Sequence, residues 1–424
     1  MRNIAELRQA MASSAADQVF MKLYGETKTS KERYLKLIDQ FAVDFPDKTE
    51  VSVYSTPGRT EVGGNHTDHN AGRVLAGAVD LDVISFAAKQ EGAITIHSEG
   101  YDPFTVALDD LQMRPEEIGT SVSIVRGVCA RFVQLGYQIG GFCASMNSTV
   151  LKGSGLSSSA AFEVQITNIL NHLYNDGAID PVTQAMIAQY AENEYFGKPC
   201  GLMDMSTCAV GGLVMIDFKD FDDPIFEKVE YDFAASDYTM VIVDTGGNHA
   251  DMTDDYIALE HEMKEVARAF GKSVLRECTK EQVMQNIAEL RTKVSDRAVL
   301  RAIHFYDDDE KVLLQADALR RNDMDQFLQL ITASGRSSWE LCQNCYSHKY
   351  SESQGISIAL EVSRNILNGK GAYRVHGGGF AGTIQAFVPN DMKDAYVQEM
   401  TKVFGDGAIF QSKIRQEGAI EVLF

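Results

Sequence analysis

Two glycines and four serines in Gly153-Ser154-Gly155-Leu156-Ser157-Ser158-Ser159 stand directly before a stretch with apolar residues at helical spacing: Phe162, Ile166, Ile169, Leu170 and Leu173. The run ahead of them, GFCASMNSTVL, reads as a strand. Strand, glycine-serine turn, helix is a narrow specification. Glycine lets backbone N–H groups approach an anion, and a helix start adds orphan donors and about half a positive charge. Serine hydroxyls at such a place can donate to phosphate oxygens or ligate Mg²⁺. Taken alone, the pattern is also that of an ordinary N-capped helix. It is not a Walker loop, because no Lys-Ser/Thr pair follows the glycines.

Three other segments carry chemistry. Residues 57–72, PGRTEVGGNHTDHNAG, set Arg, Asn, His and Asp among glycines. Such planar donors and acceptors match the vicinal hydroxyls of a carbohydrate. The alternatives are a solvated loop, or a metal site at His66, Asp68 and His69, for which no fourth ligand is evident. Cys200-Gly201-Leu202-Met203-Asp204 follows a helical stretch, and a lone Asp there is ordinarily a cap or turn residue. Gly377–Gly382, GGGFAG, lets backbone approach a ligand or another loop.

The 424 residues carry a net charge of −21 and are 45% hydrophobic. That length predicts about two domains, and the acidic balance argues against a nucleic-acid binder. No run of 18 apolar residues suggests a membrane span, and the first residues lack a secretory h-region. Seven cysteines form an odd, sparse set, as in a cytoplasmic protein with reduced thiols. Cys342 and Cys345 are read as two such thiols on a helix rather than half of a zinc site. Apolar spacing predicts two helices over residues 4–43, then strands at EVSVYST and AITIH. The stretch Thr56–Gly77 looks too polar and punctuated for one regular element. Further helices are expected at 182–195, 254–270, 281–292, 310–332 and 354–367, with strands at VGGLVMIDF, YTMVIVD, 372–375 and 383–388. A seam within 218–237 divides the chain into 1–235, with a helical extension over 1–45, and 236–424.

Taken in order, GRTEVGGNHTDHNAG, GSGLSSSAA and GGGFAG resemble the three signature motifs of the galactokinases of the GHMP kinase superfamily. AENEYFGKPCGLMD and TDDYIALEHEMKEVARAFG also resemble stretches of that family, so the likeness covers about residues 45–390. The resemblance implies a two-domain α/β (α+β) GHMP kinase fold. Its N-terminal domain would be like domain 2 of ribosomal protein S5, with a left-handed β-α-β unit. Its C-terminal domain would be ferredoxin-like, with ATP and sugar in the cleft between. It implies transfer of the ATP γ-phosphoryl group to the anomeric hydroxyl of a galactose-like sugar. By position, Asp204 is then the catalytic carboxylate and Arg59 its cationic partner. Gly153, Ser154, Gly155, Leu156, Ser157, Ser158 and Ser159 would hold the phosphates. Ser159 and Glu192 would hold Mg²⁺, and Asn65, His66, Asp68, Gly201 and Tyr256 the sugar. The expected partners are a small sugar and ATP, with no nucleic acid or membrane, and a monomer is expected.

Four positions depart from the family pattern: Glu61 where Asn is usual, Asn65 where Glu meets the C6 hydroxyl, Leu151 for Pro, and Ala381 for Gly. The absent Glu and the Asp68-His69 pair are shared with plant galacturonate kinases, so galacturonate, arabinose or N-acetylgalactosamine are alternative substrates. A non-catalytic sugar and ATP sensor on the same fold is a second reading. A Rossmann oxidoreductase is a third, but no strand is followed by GxGxxG with a distant acid.

Overall fold

A computed structural model describes residues 1–150, 155–198, 200–247 and 252–424. Its strands form two sheets. The first contains β1 (Arg2–Asn3), β2 (Glu50–Gly63), β3 (Arg73–Lys89), β4 (Ala93–Ser98), β5 (Phe104–Ala107), β6 (Phe142–Ser148), β7 (Leu213–Asp217) and β8 (Ile225–Val229). These run in the order β1-β2-β3-β6-β4-β5, with β7 on β3 and β8 on β7. The second sheet contains β9 (Tyr238–Asp244), β10 (Ala372–His376), β11 (Thr383–Pro389) and β12 (Ile409–Ser412), in the order β10-β11-β9-β12, all antiparallel. A last strand, β13 (Ile420–Glu421), crosses back to pair with β2 of the first sheet.

Three helices precede β2, not two: α1 (Ile4–Ala12), α2 (Ala16–Tyr24) and α3 (Lys28–Asp44). The unexpected break falls between α1 and α2, after Ser13 caps α1, while Gly25, in the left-handed region, ends α2. Phe20, Tyr34 and Phe41 of this layer pack on Val51, Val53 and Phe86 of the sheet. The punctuated stretch after Thr56 is also more regular than expected. β2 runs on to Gly63, because register shifts at Pro57/Arg59 and Glu61/Gly63 absorb the proline and glycines. Only residues 64–72 form a loop, with one 3₁₀ turn at Asp68–Asn70.

Helix α4 (Ser121–Gln134) and the pair α6 (Pro181–Tyr190) and α7 (Met203–Val210) surround α5 (Ser158–Tyr174). α5 is therefore not the one-faced helix its apolar spacing suggested: Glu163, Gln165, Thr167, Asn168 and Asn171 are buried as well. Gln165 donates to Ser85 Oγ at 2.7 Å, Asn171 to the Ile179 carbonyl and Asn168 to the Ile420 carbonyl, both at 3.0 Å, so the buried amide N–H groups find acceptors. The helix expected to run through 195 passes into a π-helical stretch at Ala191–Phe196.

In the second half, α8 (Thr253–Ala269) is followed by α9 (Lys280–Gln285) and α10 (Ile287–Leu290), which split the helix expected at 281–292. α11 (Asp296–Arg320) and α12 (Met324–Ser337) replace the single helix expected at 310–332, because Asn322 turns left-handed and Asp323 caps α12 through Gln326 N at 3.0 Å. α13 (Gly355–Leu367) and α14 (Lys393–Phe404) complete the chain. The expected seam contains β8, which belongs to the first sheet. Cys342 closes a π-helical turn and Cys345 lies in the loop beyond it, and all seven cysteines are free. Among the described residues, no helix is long and apolar enough to cross a membrane.

Candidate functional site

β2 delivers Arg59 and the first turn of α7 delivers Asp204 to one point. Arg59 Nε donates to Asp204 Oδ1 and Nη2 to Oδ2, both at 2.8 Å, a two-pronged pairing matched to carboxylate geometry. Ser157 Oγ also donates to Oδ2, and Arg59 Nη1 reaches the Gly155 carbonyl. The Arg59 amide bonds the Leu156 carbonyl at 3.1 Å, tying the phosphate-loop candidate to β2. Burial raises the Asp204 pKa, but Arg59's charge, its hydrogen bonds and that from Ser157 outweigh this and leave it below the usual value. The Asp204 side chain is still 30% exposed, so the ionised carboxylate has an open edge.

Of the phosphate-loop candidates, Gly153 and Ser154 lie outside the described residues. Ser157 takes the N-cap place of α5 at φ 54° without a side-chain cap, because its hydroxyl points to Asp204. The first intrahelical bond is Ala161 N to Ser157 O at 3.1 Å, so the N–H groups of residues 158–160 precede the ladder. Leu156 differs from expectation. Its side chain is fully buried in the core, and only its backbone faces the loop. Ser159 is exposed on the same turn.

The sugar candidates divide. Asp68 and Gly201 adjoin: a Cβ on Gly201 would lie 3.1 Å from Asp68 Oδ2. His66 Nε2 is 2.9 Å from the Gly378 carbonyl, and Tyr256 Oη donates to the Gly379 carbonyl at 2.9 Å. A carbonyl only accepts, so Nε2 of His66 carries the proton and Nδ1 is the acceptor. Burial, with His69 beside it, pushes the His66 pKa down to about 4. A proton-bearing Nε2 also removes that nitrogen from the metal reading of this loop. GGGFAG packs closely on helix α8, as a Cβ on Gly378 would sit 2.5 Å from Tyr256 Cε1.

Asn65 departs from its expected sugar contact. It is fully buried, and its amide donates to Glu61 Oε1 at 3.0 Å and to the Gly377 carbonyl at 2.8 Å. Its oxygen accepts from Ser338 and Asn344 at 3.1 and 2.8 Å. The side chain is spent inside the protein, where it braces the glycine turn.

Glu192, in the π-helical stretch, is 4% exposed and pairs with Lys198 at 3.2 Å. Sequence reasoning missed three groups, two of them beside Glu192. The Lys198 side chain is 63% exposed, and against desolvation Glu192 and Asp204 raise its pKa. Glu163, one turn along α5 from Ser159, is buried, and burial followed by Glu192's charge raises its pKa well above the carboxylate range. Arg374 meets Glu61 from the second sheet. The four-residue step from Ser159 was the one available signal, and it pointed only to Glu163.

Comparison with known proteins follows the same lines. A family described as "GHMP kinases N terminal domain" matches residues 123–212, and "Galactokinase galactose-binding signature" matches residues 39–89. A galactokinase of Pyrococcus furiosus is 30% identical over 82% of this chain and 93% of its own length. One of Glaesserella parasuis is 30% identical over 84% and 90%. Among solved structures, Lactococcus lactis galactokinase complexed with galactose superposes with a TM-score of 0.74 at 20% identity, covering 96% of this chain and 99% of that one. Methanococcus jannaschii mevalonate kinase gives 0.63 at 16%, covering 86% and 98%. This chain belongs to the galactokinase family, the ATP-dependent sugar kinases of the GHMP kinase fold.

Proposed function

We propose that the protein transfers the γ-phosphoryl group of ATP to the anomeric hydroxyl of galactose, giving galactose 1-phosphate and ADP. The observation that carries this reading is Asp204, held ionised by Arg59 at 2.8 Å with an open edge beside the start of α5. In this reading Asp204 orients the sugar hydroxyl and takes its proton. Arg59 keeps the carboxylate ionised and offsets charge on the phosphoryl oxygens. The N–H groups at 158–160 and the helix dipole receive the phosphates. Phosphoryl transfer asks mainly for such positioning and electrostatics. Asp68, the Gly201 backbone, His66 Nδ1 and Tyr256 form the sugar side. The two sheets are read as two domains dividing near residue 235, with the β13 end joining the first. The reaction is read as cytoplasmic, in keeping with its use of ATP.

Mg²⁺ fits the residues present, since the Ser159 hydroxyl and Glu192 carboxylate are the hard oxygen donors it prefers. Among the described residues, no three His, Cys, Asp or Glu side chains could hold a metal alone, so ATP phosphates would complete the ligand set. Bound there, the ion would neutralise charge shared by the β- and γ-phosphates. A coupled ADP-release assay of the purified protein against galactose, galacturonate, arabinose and N-acetylgalactosamine tests the function. Galactose-dependent ADP release is expected. Release with another sugar alone would replace the substrate, and ATP and sugar binding without release would favour the sensor.

A further inference from the structure

Glu163 is the most unusual side chain near this centre. It is 1% exposed, yet its Oε2 has no hydrogen-bond partner. Buried polar atoms in folded proteins are almost always matched, and an unmatched carboxylate oxygen is among the most costly exceptions. Of the buried polar groups on the same helix, Gln165 and Asn171 have found partners, whereas Asn168 Oδ1 and Glu163 Oε2 have not, and only the second of these belongs to a carboxylate.

Its position gives a reason. Glu163 lies four residues after Ser159, on the same face of α5. The Cα–Cβ bonds of a helix lean towards its N-terminus, so this side chain extends up the helix towards Ser159 and the phosphate loop. Glu192, Lys198 and Asp204 are the charged groups that act on it. The unmatched oxygen is therefore close enough to Glu192 to feel its charge, and lies on the helix face that carries Ser159 one turn earlier. Lys198 Nζ, 3.2 Å from Glu192, is the cation beside the two carboxylates.

We propose that Glu163 is a third protein oxygen donor for the ion that accompanies ATP, acting together with Ser159 and Glu192. This rests on the magnesium reading given above and adds a ligand to it. Two carboxylates and a hydroxyl, with phosphate oxygens, give the hard-oxygen set that suits Mg²⁺. The same arrangement explains why a carboxylate, rather than an amide or apolar group, occupies a closed position in a helix packed on all sides.

The test uses Mn²⁺ as the probe, with the unbound ion counted by electron paramagnetic resonance in the presence of ADP. Full-length wild type, Glu163→Gln and Glu192→Gln are compared, each with a metal-free melting curve. Glu163→Gln is expected to weaken Mn²⁺ binding about 10- to 100-fold, with no fall in metal-free melting temperature. Mn²⁺ affinity within twofold of wild type in Glu163→Gln, while Glu192→Gln binds weakly, would overturn the proposal and leave the magnesium reading standing. Unchanged affinity in both variants would overturn that reading and this proposal with it. Should Glu163→Gln fail to fold, Glu163→Asp makes the same test, since it keeps the charge and withdraws the oxygens by one methylene. Wild-type affinity in that variant would overturn the assignment.

Discussion

Arg374 Nη2 donates to Glu61 Oε1 at 2.6 Å, joining the second sheet to the first through two buried side chains. Arg374 also donates to the Val62 carbonyl at 2.6 Å. Burial lifts the Glu61 pKa to about 6, and the charges of Arg374 and Arg59 with the Asn65 amide prevent a larger rise. A pair so placed acts as a register pin. Removing one partner strands the other.

Arg374→Gln should therefore lower unfolding free energy by about 3–5 kcal/mol, the usual cost of breaking a buried pair from one side. The double variant Arg374→Met/Glu61→Gln should recover much of that loss. Urea denaturation of the two variants and wild type measures both effects. Equal losses in single and double variants would refute the pairing argument.

Asn65→Glu restores the usual family residue but places a second carboxylate against Glu61 and the Gly377 carbonyl. We expect a loss of about 1–3 kcal/mol of stability from the unmatched buried oxygens. Because the side chain is engaged in the interior, the ratio of kcat/KM for galactose and galacturonate should not move. Thermal melts and paired kinetics decide the matter. A shift towards galactose would show that residue 65 does reach the sugar.

Asp204→Asn keeps the size of the side chain and removes its basicity. The turnover number should drop by roughly 10²–10⁴, the range for general-base catalysis, while ATP affinity holds. Single-turnover kinetics and nucleotide titration measure the two quantities separately.

The pH profile should show Arg59's effect on Asp204. Because the folded-state pKa of Asp204 is depressed, its ionised form persists as pH falls and is lost only below the ordinary Asp range. The stabilisation that comes with it is complete above the unfolded-state pKa and disappears as pH drops through the folded one. In Arg59→Gln the buried carboxylate keeps its desolvation but loses its cation, so the acid limb of kcat/KM should move to higher pH. Rates measured from pH 4 to 8 locate the limb whatever the loss in absolute rate. An unmoved limb would dissociate Arg59 from Asp204's ionisation.

Arg59, Ser157 and Asp204 were legible in the sequence because each sits in a short motif whose glycines and polar residues stand out locally: PGRTE, GSGLSSS and CGLMD. Glu163 and Arg374 were not. Arg374's meaning depends on a partner 313 residues away, and no spacing rule spans that distance. Asn65 was misread for a related reason. Its motif fixed the residue but not the direction of the side chain, which Ser338 and Asn344 set from another part of the chain. Among the helices, apolar period located α8 and α13 well. It missed the break between α11 and α12, since the left-handed Asn322 leaves the pattern of hydrophobic residues unchanged. The polar flank of α5 escaped notice because periodicity ranks residues by apolarity, whereas burial there is decided by neighbouring helices.

The return of β13 to β2 bears on the order of assembly at the ribosome. Arg415, just before that strand, is fully buried and pairs at 3.1 Å with Asp82, which lies on β3 and is also fully buried. Asp82 additionally holds Arg33 and Tyr24 of the N-terminal helices. A nascent chain that has emerged only through the first sheet's opening strands thus has a buried acid still waiting for one of its two arginines. The first half cannot settle fully until Arg415 has been made, and until then Tyr54 and Ser55 of β2 lack their β13 partners and offer an unpaired edge to chaperones or to another nascent chain.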